Sequence, residues 1–205
     1  LSHESAASVR MHLTADTNFQ SHLIRFIENH DEPRHAEVFP DGKRQAAAVI
    51  FSTLQGAKLF HEGQWEGRRV KIPVFLKRRP DEAVDESLEY FYRKLLSELR
   101  QPVFHRGYWQ LCTIEGWEGN DHAENIVAWC WCDGDTRCLI AVNYSAEPAS
   151  GRIRIPGHDL AGNHWRLLDV FDEKTYDRHG DELYRQGLYV ALGAWKFHFL
   201  KFFHL

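Results

Sequence analysis

The sequence predicts α/β structure with parallel strands, followed by an all-β antiparallel sandwich. Two observations carry this. Up to about Arg100, helix-like and strand-like segments alternate, whereas from Gln101 onward short alternating strands are punctuated by turn residues. The composition shift puts a boundary near Gln101 and Pro102, dividing the chain into 1–101 and 102–205. A chain of 205 residues has room for one large domain or two small ones at roughly 150 residues per domain. It is also long enough to bury a core without covalent staples.

In the first part, Ser5 is placed to cap a short helix whose apolar side is Ala6, Val9 and Leu13. Leu23 to Ile27 is nearly continuous apolar, the pattern of a parallel strand covered on both faces. After Pro40-Asp41-Gly42, residues Ala47, Ile50, Phe51 and Leu54 follow the i, i+3, i+4, i+7 rule, and Gly56 falls where a left-handed helix end would. Ala57 to His61 reads as a second strand. Asp85 is placed to cap a helix with the stripe Leu88, Phe91, Tyr92, Leu95 and Leu99; Glu89 can pair with Arg93, and Pro102 closes it. Strands spaced by such helices are βα units, and about 100 residues hold two or three of them, too few for a complete eight-unit barrel. Two parallel strands alone leave open apolar edges, so missing neighbours are implied.

The second part offers strands at 108–114, 126–132, 137–144, 152–155, 164–170, 188–192 and 195–200. Turn signals separate them: Asp133-Gly134-Asp135, Pro148 to Gly151, Gly157 to Gly162 and His179-Gly180-Asp181. Seven or eight such strands predict a sandwich.

Lys plus Arg against Asp plus Glu gives 25 − 29 = −4, which argues against an electrostatic hold on nucleic acid or anionic lipid. The run Lys77 to Arg79 is too short for a nucleic-acid surface and reads as a solvated loop. No apolar run reaches the roughly 18 residues of a membrane span, so neither membrane nor nucleic acid is an expected partner. A chain that begins at Leu1, in what reads as a helix, is expected to be a piece of a longer polypeptide. Four cysteines clustered between 112 and 138 are too few and too local for a disulfide framework; free thiols are expected, favouring a reducing compartment such as the cytoplasm. Cys130-Trp131-Cys132 with Cys138 across a turn brings to mind zinc, but the spacing fits buried apolar residues better. The 13 His are scattered, with no metal-binding motif.

The stretch Phe26-Ile27-Glu28-Asn29-His30-Asp31-Glu32-Pro33-Arg34 puts a polar cluster at the carboxyl end of a strand, where α/β barrels build active sites. The competing reading is helix initiation, with Asn29 or Asp31 as cap and Pro33 in the first turn. Phe26 to Asp31 resembles the fourth sequence region of glycoside hydrolase family 13, the α-amylase family, and Gly56 to Gln64 is similar to that family's segment around strand eight of a (β/α)8 TIM barrel. The resemblance implies a C-terminal fragment of such a barrel, strands seven and eight with their helices, followed by an antiparallel β-sandwich. It implies retaining cleavage or transfer of α-glucosidic bonds in an α-linked glucan or oligosaccharide. Catalytic Asp31 would steady the transition state, with His30, Asn29 and Arg34 as substrate-binding residues; Asn29 and Arg34 could equally brace the loop or nearby carboxylates.

The family's nucleophile Asp and acid/base Glu would lie before Leu1. Glu28, Glu32, Glu62 and Glu66 read as structural or peripheral, so the chain alone is expected to hydrolyse no α-glucan. No cofactor is implied for these residues; calcium, where the family uses it, is held largely by the earlier barrel and its inserted domain. Two alternatives compete: a carbohydrate-binding or stabilising sandwich module, with Trp65 and Trp117 as exposed platforms in Gly-flanked loops, and one half of a split enzyme whose other chain supplies the missing N-terminal part of the barrel.

Overall fold

The structure is a computed structural model that describes residues 1, 3–76, 78–157 and 159–205. Two positions of the sequence reading, Lys77 in the basic run and His158 in the Gly157 to Gly162 turn, lie outside the described residues. The chain divides into two compact units, Leu1–His3 with Asp16–Arg100, and Glu4–Ala15 with Gln101–Leu205. The first helix, α1 (Ala6–Leu13), therefore groups with the second unit. Ser5 caps it as the sequence predicts, accepting a hydrogen bond from the Ser8 N–H.

The first unit runs α2 (Thr17–Ser21), β1 (Ile24–Arg25), α3 (His35–Val38), α4 (Asp41–Thr53), β2 (Ala57–Lys58) and α5 (Glu86–Leu99). Strands β1 and β2 are parallel, with Ile24 opposite Ala57 and Arg25 opposite Lys58. Both are shorter than the apolar runs suggest, and Ile24 and Phe26 are 65% and 40% exposed, against the expected cover on both faces. Among the described residues β1 pairs with one strand only, β2. Helix α4 ends at Thr53 and Gly56 follows with φ +92°, a left-handed conformation beyond the helix end. Helix α5 is as read: the Asp85 carboxylate accepts from the Leu88 N–H at 3.0 Å, and Glu89 pairs with Arg93 at 2.6 Å. Helix α5 ends at Leu99, and Pro102, two residues beyond its cap Arg100, also precedes the first residue of α6 (Val103–Arg106). The sequence reading missed α2, which Asp16 caps.

The second unit has nine strands among the described residues: β3 (Tyr108–Leu111), β4 (Thr113–Glu115), β5 (Ile126–Asp133), β6 (Thr136–Asn143), β7 (Ala149–Arg154), β8 (His164–Asp169), β9 (Thr175–His179), β10 (Leu188–Leu192) and β11 (Phe197–His204), with α7 (Gly180–Gln186) before β10. They form two antiparallel sheets in the orders β3-β5-β6-β11-β8-β9 and β10-β7-β4. This is the expected antiparallel architecture, consistent with a sandwich. The predicted strand 108–114 is two: the chain leaves one sheet at Leu111 and enters the other at Thr113, with Cys112 as the corner. Strand β9 and helix α7 were not anticipated.

The sheets share one core. Ile126, Leu139, Leu167 and Leu200 come from the larger sheet and Ile153, Leu188 and Val190 from the smaller. Full burial of such a side chain contributes about 1.5–3 kcal/mol, so this layer holds the sheets together. Among the described residues, no helix is long and apolar enough to cross a membrane.

Candidate functional site

The segment after β1 turns sharply because Asn29 anchors it. Its Oδ1 accepts hydrogen bonds from the N–H groups of Asp31 (2.8 Å) and Glu32 (2.9 Å), an Asx turn that fixes the backbone locally. The turn leaves His30 and Asp31 side by side in solvent, His30 Nε2 lying 3.3 Å from Asp31 Oδ2 with side chains 63% and 78% exposed. At that exposure the contact itself adds little stability; what the turn provides is an adjacent carboxylate and imidazole with free outer edges. Lys71 donates from Nζ to the Asp31 carbonyl and ties the turn to the segment before α5. Neither Asn29 nor Asp31 caps a helix: α3 begins after Arg34 with no side-chain cap, so the helix-initiation reading is not what these residues do.

Next to this exposed turn lies a buried charge cluster. Glu28 is fully buried, and its Oε2 accepts from both the backbone N–H of His35 (2.7 Å) and its ring Nδ1 (2.6 Å). Arg34, only 4% exposed, places Nη1 at 3.1 Å from Glu28 Oε1. The same guanidinium donates to His61 Nδ1, to the Glu62 carbonyl (2.7 Å) and to the Arg68 carbonyl (3.3 Å). Because Arg has only donors, His61 Nδ1 must accept, which assigns the His61 proton to Nε2. Thus Arg34 ties the loop after β1 to the loop after β2. A Cβ on Gly63 would fall 2.5 Å from Arg34 Nη2, so the guanidinium occupies space that only glycine leaves open. Gln64 completes the lattice: its Oε1 accepts from the His61 N–H (3.1 Å) and its Nε2 donates to Tyr92 Oη (3.0 Å) on α5.

Burial pushes the Glu28 carboxyl up, but the hydrogen bonds from His35, its charge and that of Arg34 outweigh burial and hold Glu28 below the usual carboxylate range. Burial pushes the Tyr92 hydroxyl well up, so it stays protonated and neutral.

Of the four site residues read from sequence, His30 and Asp31 are adjacent and accessible, Asn29 holds their turn, and Arg34 is a buried brace. Sequence reasoning left Glu28 to the strand, and gave no role to His61 or Lys71. The available signal was a carboxylate, Glu28, directly after the apolar pair Phe26-Ile27. Of the other carboxylates weighed, Glu62 pairs through Oε1 with Arg79 and Glu32 is exposed. Trp65 is 39% exposed, with its ring edge-on to Phe60 at 6.0 Å, and Trp117 is 50% exposed. All four cysteines are free; the close pair is Cys112 and Cys130, with sulfurs 3.6 Å apart. Among the described residues no group of three or more His, Cys, Asp or Glu is arranged to hold a metal ion.

No family model matches the chain. It is 27% identical over 161 residues to the α-amylase MalA of Haloarcula japonica, covering 74% of this chain and 23% of that protein. Among solved structures, a noncanonic maltogenic α-amylase, AmyB, from Thermotoga neapolitana matches with a TM-score of 0.67 at 20% identity, over 89% of this chain and 41% of that one. The α-amylase from Geobacillus thermoleovorans, solved with acarbose, matches with a TM-score of 0.71 at 15% identity, over 97% and 45%. The chain thus spans under a quarter of the curated relative and under half of these structures. The fold, of mixed helix and sheet, is similar to that of part of these α-amylases. The resemblance read from Phe26 to Asp31 stands: over most of its length the chain is similar to α-amylases of glycoside hydrolase family 13, consistent with a C-terminal portion of such an enzyme.

Proposed function

We propose that this chain is part of an α-amylase-family glycoside hydrolase or transglycosylase, acting on α-glucosidic bonds with retention, and that Asp31 is the carboxylate that stabilises its transition state. The observation that carries this is the Asn29-pinned turn at the carboxyl end of β1, which presents His30 and Asp31 together and accessible. In this reading residues 1–101 are the last two βα units of a (β/α)8 barrel, with β1 and β2 as its seventh and eighth strands. Asp31 accepts hydrogen bonds from ring hydroxyls beside the reacting carbon, and these strengthen as positive charge develops on an oxocarbenium-like sugar. His30 donates to the same sugar. Asn29 keeps its amide NH₂ for a hydroxyl while its oxygen holds the turn. Arg34, buried, acts through the loops it joins. The nucleophile and the acid/base are supplied from outside residues 1–205.

Incubated with a maltooligosaccharide, the purified chain is expected to release no reducing sugar. Turnover that survives Asp31→Asn would overturn the assignment. In the enzyme containing this segment, Asp31→Asn is expected to lower kcat by about 10²–10³-fold, the weight of one preorganised electrostatic group, with the fold unchanged by circular dichroism.

A further inference from the structure

We infer that the second unit carries a separate, non-catalytic binding site for an α-linked gluco-oligosaccharide, built around Trp117 and Tyr189. That the linkage is α rests on the function proposed above; the site itself does not.

On the outward face of the smaller sheet, Glu115, Arg152 and Tyr189 lie opposite one another in a row across β4, β7 and β10. Strand β10 alternates buried and exposed residues, which turns Tyr189 outward, 51% exposed. Two residues beyond Glu115, Trp117 lies against Tyr189, the rings 6.2 Å apart at 33° and both half in water. An aromatic pair of this kind is usually core; here it is a tilted apolar surface. Two hollows of about 350 and 310 Å³ adjoin Tyr189 and share Arg178, Leu188 and Tyr189 as walls. The 350 Å³ hollow is also lined by Arg152, whose Nη1 is buried with no hydrogen-bond partner among the described residues, while Glu115 is engaged with Arg154 at 2.7 Å. His198 lines the 310 Å³ hollow, its Nδ1 held by the buried Asp169 carboxylate at 2.5 Å.

The ligand class follows from charge and shape. In the 350 Å³ hollow Arg152 and Arg178 are balanced by Asp177 and Glu182, so an anion gains no net attraction. Stacking faces flanked by donors and acceptors of both kinds suit a neutral, polyhydroxylated ring, whose C–H face lies on the aromatic while its hydroxyls reach Arg152 and the carboxylates.

The test is titration of the full chain with maltoheptaose, followed by tryptophan fluorescence and calorimetry. Saturable binding is expected, weakened at least about tenfold in Tyr189→Ala and in Trp117→Ala, one stacking contact each. Tyr189→Phe, which keeps the stacking face, should bind nearly as wild type and serves as the control if the alanine variant unfolds. Arg152→Gln should weaken binding without altering circular dichroism. No saturable binding, or binding unchanged in both aromatic variants, overturns the proposal. Binding lost in Asp31→Asn but kept in Tyr189→Ala places the ligand at the other unit and also overturns it. Binding retained in Asp31→Asn supports it whatever the fate of the catalytic assignment. Equal affinity for a cello-oligosaccharide overturns the α-linked specificity.

Discussion

Glu28→Ala is expected to lower the stability of the first unit by about 3–5 kcal/mol, the cost of removing one partner from a buried charge pair. The carboxylate makes two hydrogen bonds to His35 and an ion pair to Arg34, and all three side chains are shielded from water. Without it, a buried guanidinium keeps only carbonyl and imidazole acceptors, and the His35 N–H loses its partner. Glu28→Gln keeps the shape and one acceptor oxygen, so a smaller loss of about 1–3 kcal/mol is expected. The pH dependence has a definite sign. Glu28 is held below its ordinary value of 4.5 in the folded state, so between the two values the unfolded chain binds more protons than the folded one. Its contribution is complete above about pH 4.5 and is lost as pH falls through the lower, folded value. Amide hydrogen exchange in α3 and α4, measured for wild type and Glu28→Gln from pH 7 down to 3, checks this. The wild type should lose protection toward the acid end and the variant should change less; parallel loss in both would remove Glu28 as the cause.

Gly180→Ala should be among the most damaging single-methyl additions in the second unit, costing at least about 3 kcal/mol, the upper range of overpacking. The reason is close approach: an added Cβ would meet the Leu160 carbonyl oxygen at 1.7 Å and the Asn163 carbonyl oxygen at 2.8 Å. Neither can yield cheaply. The Gly180 N–H donates to that Asn163 carbonyl at 2.7 Å, and the Leu160 carbonyl accepts the buried Trp165 Nε1–H at 3.1 Å. A shift that admits the methyl therefore breaks a bond under the core residue Trp165. Urea unfolding monitored by circular dichroism should show a lower midpoint with little change in slope. An unfolding free energy within about 0.5 kcal/mol of wild type, the range of a neutral substitution, would mean the loop repacks freely.

This glycine also shows where sequence reasoning stops. His179-Gly180-Asp181 reads as a turn because glycine is the commonest punctuation, yet Gly180 begins a helix and is there for the backbone it touches, which lies some twenty residues earlier. Local signals fared well: the Ser5 and Asp85 caps, the Glu89–Arg93 pair and the Asp133–Thr136 hairpin are all short-range and all present. Long-range choices were not legible. The apolar run Leu23 to Ile27 fixes a strand's existence, but its length is set by how many partners pair with it. Nothing in Tyr108 to Ile114 marks Cys112 as a change of sheet. At the candidate site the same division holds. His30 and Asp31 are recognisable from their neighbours in sequence, whereas Arg34 gains its meaning from His61 and Glu62, and Trp117 from Tyr189, across distances along the chain that no window spans.

The corner at Cys112 has a mechanical consequence. Because β3 and β4 are consecutive yet hydrogen-bonded into different layers, with the Cys112 N–H still donating to Ala128 at 2.9 Å, sliding one layer over the other pulls directly on the edge of its counterpart. The pair is laced at that seam, so strain entering through the smaller layer, where Tyr189 sits, is passed to the larger one instead of being relieved by shear between them.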